Sequence, residues 1–395
     1  MVVLKYYYFD PRVRRYAESL IKNGVKVDVL CLQEEMSISN IDYDGLRVFT
    51  IPLHHIQGSR VRYLIETILS MFFFTIRLLE LHFKNQYQII HVHNMPDLLL
   101  LCAIIPKLMG AKLILDIHDP MPEVYLSKYG QDVNSIIGKI LILQEKISCF
   151  LANAIVTANS NFKANLVRRG IPSNKITVVN NIPNSNIFNR ASFQKEHQAK
   201  NKYFTLIYPG TFAPRYGLDV PIRALTLLVD KVPDILLLFF GPNSQYKVKL
   251  IELAAEIGVS SYTQFNSSIP LEELAKQISL ADIGIYPALP DAHMSIATPT
   301  KVLEFAIMGV PIVSSRLLVI EDLFTDKGVM LFEPGNIDQF AKCILDLYKN
   351  PLKCKELVQN ADRIFVQTHF WDREFTDYIG LLNKLLSRKS EIILV

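Results

Sequence analysis

The chain has 395 residues, more than one hydrophobic core usually organises, because single domains stop growing at about 250 residues. Half of them are hydrophobic and 20% charged, with 16 glycines and 20 prolines; this excludes a disordered, collagen-like or low-complexity chain. Lys and Arg number 42 against 38 Asp and Glu, a net charge of +4 that is too small to make nucleic acid the main partner.

From the first residue, short β-branched or aromatic runs alternate with amphipathic helical stretches, the pattern of parallel sheets covered by helices. The opening MVVLKYYYFDPRVRR reads as strand and helix and not as a cleavable signal. In chain order the strands of a first domain, residues 1–190, are VVLKYYY, VKVDVLC, LRVFTIPL, YQIIHVHN, AKLILDIHD, AIVTANS and KITVVNN. Helices such as PRVRRYAESLIKNG and NFKANLVRRG lie between them. A polar stretch at 191–202 reads as a linker. A second domain, residues 203–350, runs through FTLIYPGTF, ILLLFFGPN, a weaker YTQFNSS, ADIGIYP, VPIVSS and VMLFEP. Residues 351–395 hold only helical patterns, around Trp371, and are expected to close the fold. The fold class is thus α/β, two doubly wound domains. Ligands are expected beyond the carboxyl ends of the strands, facing a cleft between the domains. No GxGxxG follows the first strand and no GxxxxGK[ST] occurs, which weakens dehydrogenase and NTPase readings. The five cysteines form no CxxC pair and read as reduced thiols. No apolar run reaches the 18 or so residues of a membrane span.

Three strand ends carry chemistry. In ADIGIYPALPDAHMSIATPTKVLEFAIMGVPIVSS a polar loop enters a helix with Thr298 as its expected cap, Pro299 in the first turn and Gly309 at its end. Free N–H groups near Thr300, together with the Lys301 ammonium, suit a phosphate. Glu304, four residues after Thr300, is placed to accept hydrogen bonds from a ribose diol. A capped core helix with an exposed Glu and Lys is the plainer alternative. In YPGTFAPRYGLDVPIRAL, Gly210 and Gly217 bracket a tight loop carrying Thr211 and Arg215, suited to a diphosphate or else a simple strand-to-helix turn. The strand AKLILDIHD ends at Asp116, His118 and Asp119, and His118 there is either a polar partner for a sugar hydroxyl or a core-satisfied histidine. His91 and His93 share one strand face, a pair without an evident third metal ligand, and strand-end polar contacts are the favoured reading. Asp42 and Asp44 form a lone DxD better read as a turn.

The order of these segments, FDPRVRRYAESLIKNGVKVDVL, LILDIHD, VVNNIPNSNIF, YPGTFAPRYGLD, TPTKVLEFAIMGVPIV and MLFEPGNIDQFAKCI, resembles the family 4 glycosyltransferases of GT-B fold over nearly the whole chain. The resemblance implies a retaining enzyme with two Rossmann-like domains. Its second domain would hold a nucleotide diphosphate sugar through Gly210, Thr211, Arg215, Thr298, Thr300, Lys301 and Glu304. The first would hold a glycan or lipid-linked glycan acceptor. It implies no cofactor and no catalytic metal, with His118, Arg215 and Lys301 in catalysis and Asp10, Arg12, His93 and Asp119 on the acceptor side. Two positions depart from the family pattern: Ile296 stands where the first glutamate of the paired-Glu motif is expected, and Thr211 where an arginine commonly follows the first glycine. These departures keep a non-catalytic glycan-binding or partner subunit open as an alternative, beside a sugar-nucleotide epimerase.

Residues 60–84, RVRYLIETILSMFFFTIRLLELHFK, join a dense apolar stretch to basic ends. That fits a helix lying on an anionic membrane surface, or one whose Phe72, Phe73 and Phe74 fill the core. The expected setting is cytoplasmic, with peripheral attachment to the inner face of the cell membrane in polysaccharide synthesis.

Overall fold

The computed structural model describes residues 1–7, 10–33, 41–43, 45–51, 53, 60–130, 133–193 and 202–386. The chain divides into two compact units, Met1–Asn181 with Asp372–Val395, and Ile182–Trp371.

The first unit is built on an eight-stranded sheet of order β3-β4-β2-β1-β5-β6-β7-β8. Its strands are β1 (Val2–Val3), β2 (Val27–Leu32), β3 (Ile41–Tyr43), β4 (Leu46–Ile51), β5 (Ile89–His93), β6 (Lys112–Ile117), β7 (Ala154–Thr157) and β8 (Ile176–Val178). All pairings are parallel except β3 with β4. Asp42 therefore lies on an edge strand, while Asp44 falls outside the described residues. The helices are α1 (Pro11–Lys22), α2 (Arg60–Asn85), α3 (Ile104–Leu108), α4 (Met121–Tyr129), α5 (Ile136–Leu151) and α6 (Ser160–Arg168). The Asp10 side chain caps α1 by accepting from the N–H groups of Arg12 and Val13, with Pro11 in the first turn, as the sequence predicts.

The second unit carries a six-stranded parallel sheet, β11-β10-β9-β12-β13-β14, from β9 (Phe204–Pro209), β10 (Ile235–Phe240), β11 (Thr263–Asn266), β12 (Ile283–Tyr286), β13 (Ile312–Ser315) and β14 (Met330–Phe332). It is covered by α7 (Asp219–Leu228), α8 (Gln245–Glu256), α9 (Leu271–Leu280), α10 (Thr300–Met308), α11 (Leu318–Gly328), α12 (Ile337–Lys349) and α13 (Pro351–Ala361). A last helix, α14 (Trp371–Leu385), belongs almost wholly to the first unit.

The domain limits differ from the sequence reading for identifiable reasons. Ile182 and Phe188 are buried in the second unit's core, and Arg190 pairs with Asp362 at 2.8 Å while donating to the carbonyls of Ala306 and Ile307. The units therefore part near residue 181, and not at 191–202, most of which lies outside the described residues. The closing helices also separate. Residues 351–371 stay with the second unit, whereas Glu374 on α14 accepts from the backbone and side-chain N–H groups of Asn180, and the buried Tyr378 hydroxyl meets His91 Nδ1 at 2.9 Å. The single strand expected over VVLKYYY shrinks to Val2–Val3. The phenylalanine triplet splits as well. Phe74 is fully buried, whereas Phe72 and Phe73 are exposed.

Candidate active site

In the second unit, the turn after β9 and the first turn of α10 bring two cations onto one shared aromatic ring. Beyond β9 the chain turns at Gly210 and makes a short 3₁₀ turn, Pro214–Tyr216, ending on the left-handed Gly217 (φ 57°). A Cβ at Gly217 would stand 2.2 Å from the Pro287 carbonyl oxygen, so only glycine lets the turn approach the segment after β12. The Arg215 guanidinium lies over the Tyr216 ring at 5.2 Å, and the Lys301 ammonium lies 4.9 Å from the same ring and 5.5 Å from that of Tyr208. Cation–π attraction holds both cations in place. Among the described residues neither has a carboxylate at salt-bridge distance.

Lys301 reaches this position because Gly210 has no side chain. A Cβ there would stand 2.0 Å from Lys301 Cε. The sequence signal for Gly210 was close backbone approach to a ligand; the structure shows that the space is first taken by the lysine. Thr211 is exposed, and its carbonyl accepts from the Tyr208 hydroxyl at 3.2 Å.

The entry to α10 corrects one expectation. The residue before the helix is Pro299, with no side-chain cap, and Thr300 is the first helical residue. Thr298 is therefore not the cap, because it sits one residue too early. The first-turn amide of Lys301 has no intrahelical acceptor, as in any helix start, and forms part of the positive end of the helix dipole. One turn on, burial pushes the Glu304 carboxyl up to about 7, opposed by Lys301. A half-buried carboxyl poised near neutrality is an acceptor awaiting a donor.

In the first unit the end of β6 carries His118. Burial holds its imidazole below the usual histidine range, with Asp116 and Asp119 pulling the other way, so it is neutral near pH 7. Its Nδ1 is buried without a partner among the described residues. Its backbone N–H donates to the Asn94 carboxamide oxygen at 3.2 Å, and that of Asp119 to the same atom at 3.4 Å. The Asn94 amide donates to the Asp119 carbonyl at 2.6 Å and to Asp97 at 2.9 Å. One buried carboxamide thus fixes the turn that presents His118, a role the sequence reading missed.

Three of the remaining acceptor-side candidates are engaged inside the first unit. Arg12, 2% exposed, grips Asp116 with two hydrogen bonds at 2.8 and 3.0 Å and donates to the Val179 carbonyl and the Tyr16 hydroxyl. His93 Nδ1 lies 3.0 Å from the same carboxylate. Asp10 is spent on capping α1 and on Lys5 at 3.5 Å. These internal partners build the sheet's end and give Asp10, Arg12 and His93 structural work, His93 Nε2 alone staying buried without a hydrogen-bond partner among the described residues. Asp119 alone stays beside His118. The third partner lacking for His91 and His93 is Asp116, the three ligand atoms lying within 4.8 Å. Arg12 nevertheless occupies both Asp116 oxygens and holds the carboxyl well below its usual range against burial, so the cluster is already neutralised and does not fit a cation.

Sequence comparison matches "Glycosyltransferase Family 4" over residues 12–183 and "Glycosyl transferases group 1" over residues 189–364. A chitobiosyldiphosphodolichol beta-mannosyltransferase of Candida albicans is 24% identical over 373 residues, 89% of this chain and 81% of that protein. A GDP-mannose-dependent alpha-(1-6)-phosphatidylinositol monomannoside mannosyltransferase of Mycolicibacterium smegmatis is 30% identical over 141 residues, 35% of this chain and 37% of that protein. Among solved structures, a sucrose-phosphate synthase of Thermosynechococcus elongatus superposes with a TM-score of 0.78 at 17% identity, over 98% of this chain and 99% of that one.

Proposed function

We propose, for a chain that belongs to the GT-B glycosyltransferases of family 4, that it transfers a hexose from a nucleotide diphosphate sugar to a lipid-linked glycan on the cytoplasmic face of the membrane, with retention and without a metal. The observation that carries the donor reading is the pair of cations, Arg215 and Lys301, converging on the Tyr216 ring with no carboxylate at salt-bridge distance among the described residues. Two unneutralised cations, one of them in the first turn of α10, suit an anion. The diphosphate lies against them, and Glu304 takes the ribose hydroxyls. His118, a neutral imidazole on a turn clamped by Asn94, hydrogen-bonds a hydroxyl of the reacting sugar. GDP-mannose is the first donor to test, since the names of two relatives carry mannosyl transfer and one carries GDP-mannose. The acceptor class follows the same two names, one a dolichol diphosphate and the other a phosphatidylinositol.

A thermal-shift comparison of GDP-mannose with UDP-glucose tests the donor, because a ligand at a hundred times its Kd stabilises by about 2.7 kcal/mol. The anomeric coupling of the product tests retention. Inversion is the second reading, favoured by the beta-mannosyl product in the name of the fungal relative; from an α-configured donor, a β-linked product would overturn retention.

Two further results are expected. His118→Ala should lower turnover about 100-fold or more with little change in melting temperature, because its Nδ1 makes no hydrogen bond among the described residues and its ring meets His93 only at 6.5 Å between centroids. Unchanged turnover would remove His118 from the site. For Glu304, the ionised carboxylate accepts hydroxyl hydrogen bonds and the neutral acid is the poorer acceptor. Nucleotide-sugar affinity should therefore rise as pH increases through about 7, the sugar-esterified diphosphate having no titrating group there. Glu304→Gln should flatten the profile; a variant keeping the wild-type slope would assign the titration elsewhere.

A further inference from the structure

One face of the first unit's sheet is covered by α2, by the 3₁₀ segment Asp97–Ala103 running into α3, and by α5. Phe74, Leu78, Leu99, Leu100, Cys102 and Cys149 from these elements share one buried core cluster. Their opposite sides should be polar if they faced water, and they are not. On α5 the residues Ile136, Ile140, Leu143, Ile147 and Phe150 recur at a spacing of four and three, so they form one stripe along the helix. All five are exposed, Ile136 by 78% and Phe150 by 80%. The buried Gly138, Leu141, Glu145, Ser148 and Cys149 occupy the other side. The helix is thus apolar where it faces away from the core. Its neighbours continue the surface, with Ile68, Phe72, Ile76 and Phe83 exposed on α2 and Ile105 and Leu108 on α3. A contiguous patch of this kind marks an interaction surface.

We propose that the outward face of α2, α3 and α5 is a monotopic bilayer-binding surface, with the α5 stripe as its principal apolar anchor and lysines at its border contacting anionic headgroups. The charges select lipid as the occupant. Lys139 and Lys146 are exposed beside the stripe and Lys84 at the end of α2, while the exposed Glu80 is paired with Arg77 at 2.6 Å and Lys84 at 3.5 Å. The border is therefore basic around an uncharged centre, the profile of a helix surface lying in an anionic interface. A second copy docked face to face would bring these lysines toward one another. Among the described residues no helix is long and apolar enough to cross a membrane, so the face lies on the bilayer. This refines the sequence reading, which placed the contact on the apolar stretch and basic ends of residues 60–84; here α5 adds a stripe of five exposed apolar residues, and the buried Phe74 takes no part.

The proposal rests on the lipid-acceptor reading for its biological sense, but its test fails separately. The full chain is floated with vesicles of phosphatidylcholine, with and without a third of phosphatidylglycerol. The wild type should bind the anionic vesicles and stay partly bound in molar salt, where headgroup attraction is screened. Leu143→Gln combined with Phe150→Gln should weaken binding at least tenfold at both salt levels, with unchanged circular dichroism. Should that pair not fold, Phe72→Gln with Ile76→Gln reads the same surface. Lys139→Gln with Lys146→Gln should lose only the salt-sensitive part. GDP-mannose binding should be the same in all these variants, so failure of donor binding in the wild type would overturn the enzymatic reading and leave the surface standing. A folded α5 variant that binds vesicles as tightly as wild type would overturn the proposal. So would a wild type that ignores vesicles and sediments as a dimer dispersed by the same substitutions.

Discussion

Arg12→Ala is expected to destabilise the first unit by about 3–5 kcal/mol, the range for removing one partner of a buried ion pair. The cause is what remains. Asp116 is 0% exposed and its two oxygens lose the guanidinium that now sits at 2.8 and 3.0 Å, so a buried carboxylate is left with His93 as its nearest charged or chargeable neighbour. The pH dependence has a definite sign. In the wild type the Asp116 pKa is depressed, so its contribution is present above the unfolded carboxylate value and is lost only as pH falls through the lower folded one. Without Arg12, burial raises that pKa, and the variant relieves itself by taking up a proton as pH falls. The gap in unfolding free energy between wild type and variant should therefore be widest near neutrality and narrow toward pH 5, as read by urea unfolding across the range. A double variant, Arg12→Met with Asp116→Leu, should recover much of the loss. If Arg12→Ala unfolds at the wild-type urea midpoint, the pair contributes nothing and Arg12 is free for an acceptor role.

How much of this was legible in the sequence depends on distance along the chain. The two parallel sheets followed from alternation alone, because a strand buried on both faces and a helix buried on one leave different periods. The Asp10–Pro11 start of α1 was legible for the same reason: a cap and its helix are neighbours. The Arg12–Asp116 pair spans 104 residues, and nothing local announces it beyond an aspartate inside the apolar strand LILDIHD. Asn94 was invisible, since its partners His118 and Asp119 lie on another strand end. The phenylalanine triplet could have been resolved: Phe74, Leu78 and Leu81 repeat at helical spacing and are the buried ones, whereas Phe72 aligns with Ile68 and Ile76, which are exposed. The α5 stripe could not. ILILQEKISCFL is apolar on both sides, and only the packed structure shows which side the core took. The domain boundary was misplaced because polarity was read as a linker, whereas the hydrophobic residues before it, Ile182 and Phe188, had already joined the second core.

Lys301→Ala and Arg215→Ala are each expected to cut turnover by about two orders of magnitude, a loss of roughly 2.7 kcal/mol, and a chelator should leave the wild type active. As the bond from sugar to diphosphate stretches, negative charge grows on the leaving oxygen, and cations fixed beforehand lower the barrier more than they stabilise the bound donor. At about 4 Å and an effective dielectric near 20, each charge pair is worth roughly 4 kcal/mol before desolvation is subtracted; the expected loss is a fraction of that. Both cations are already held over aromatic rings, so little reorganisation is needed when the charge appears. Gly210 separates this account from simple charge loss. A methyl group there would stand 2.0 Å from Lys301 Cε, so Gly210→Ala keeps every charge and displaces one. The left-handed φ of 144° at that position adds backbone strain, which a melting-temperature measurement reports separately. Gly210→Ala should approach the Lys301→Ala defect in turnover, and combining the two should add little, because the second change removes a lysine already out of place. Additive losses would mean that Gly210 acts through the backbone and not through Lys301. Wild-type activity abolished by chelator and restored by magnesium or manganese would overturn the arrangement itself, since the leaving group would then be stabilised by an ion in place of these two side chains.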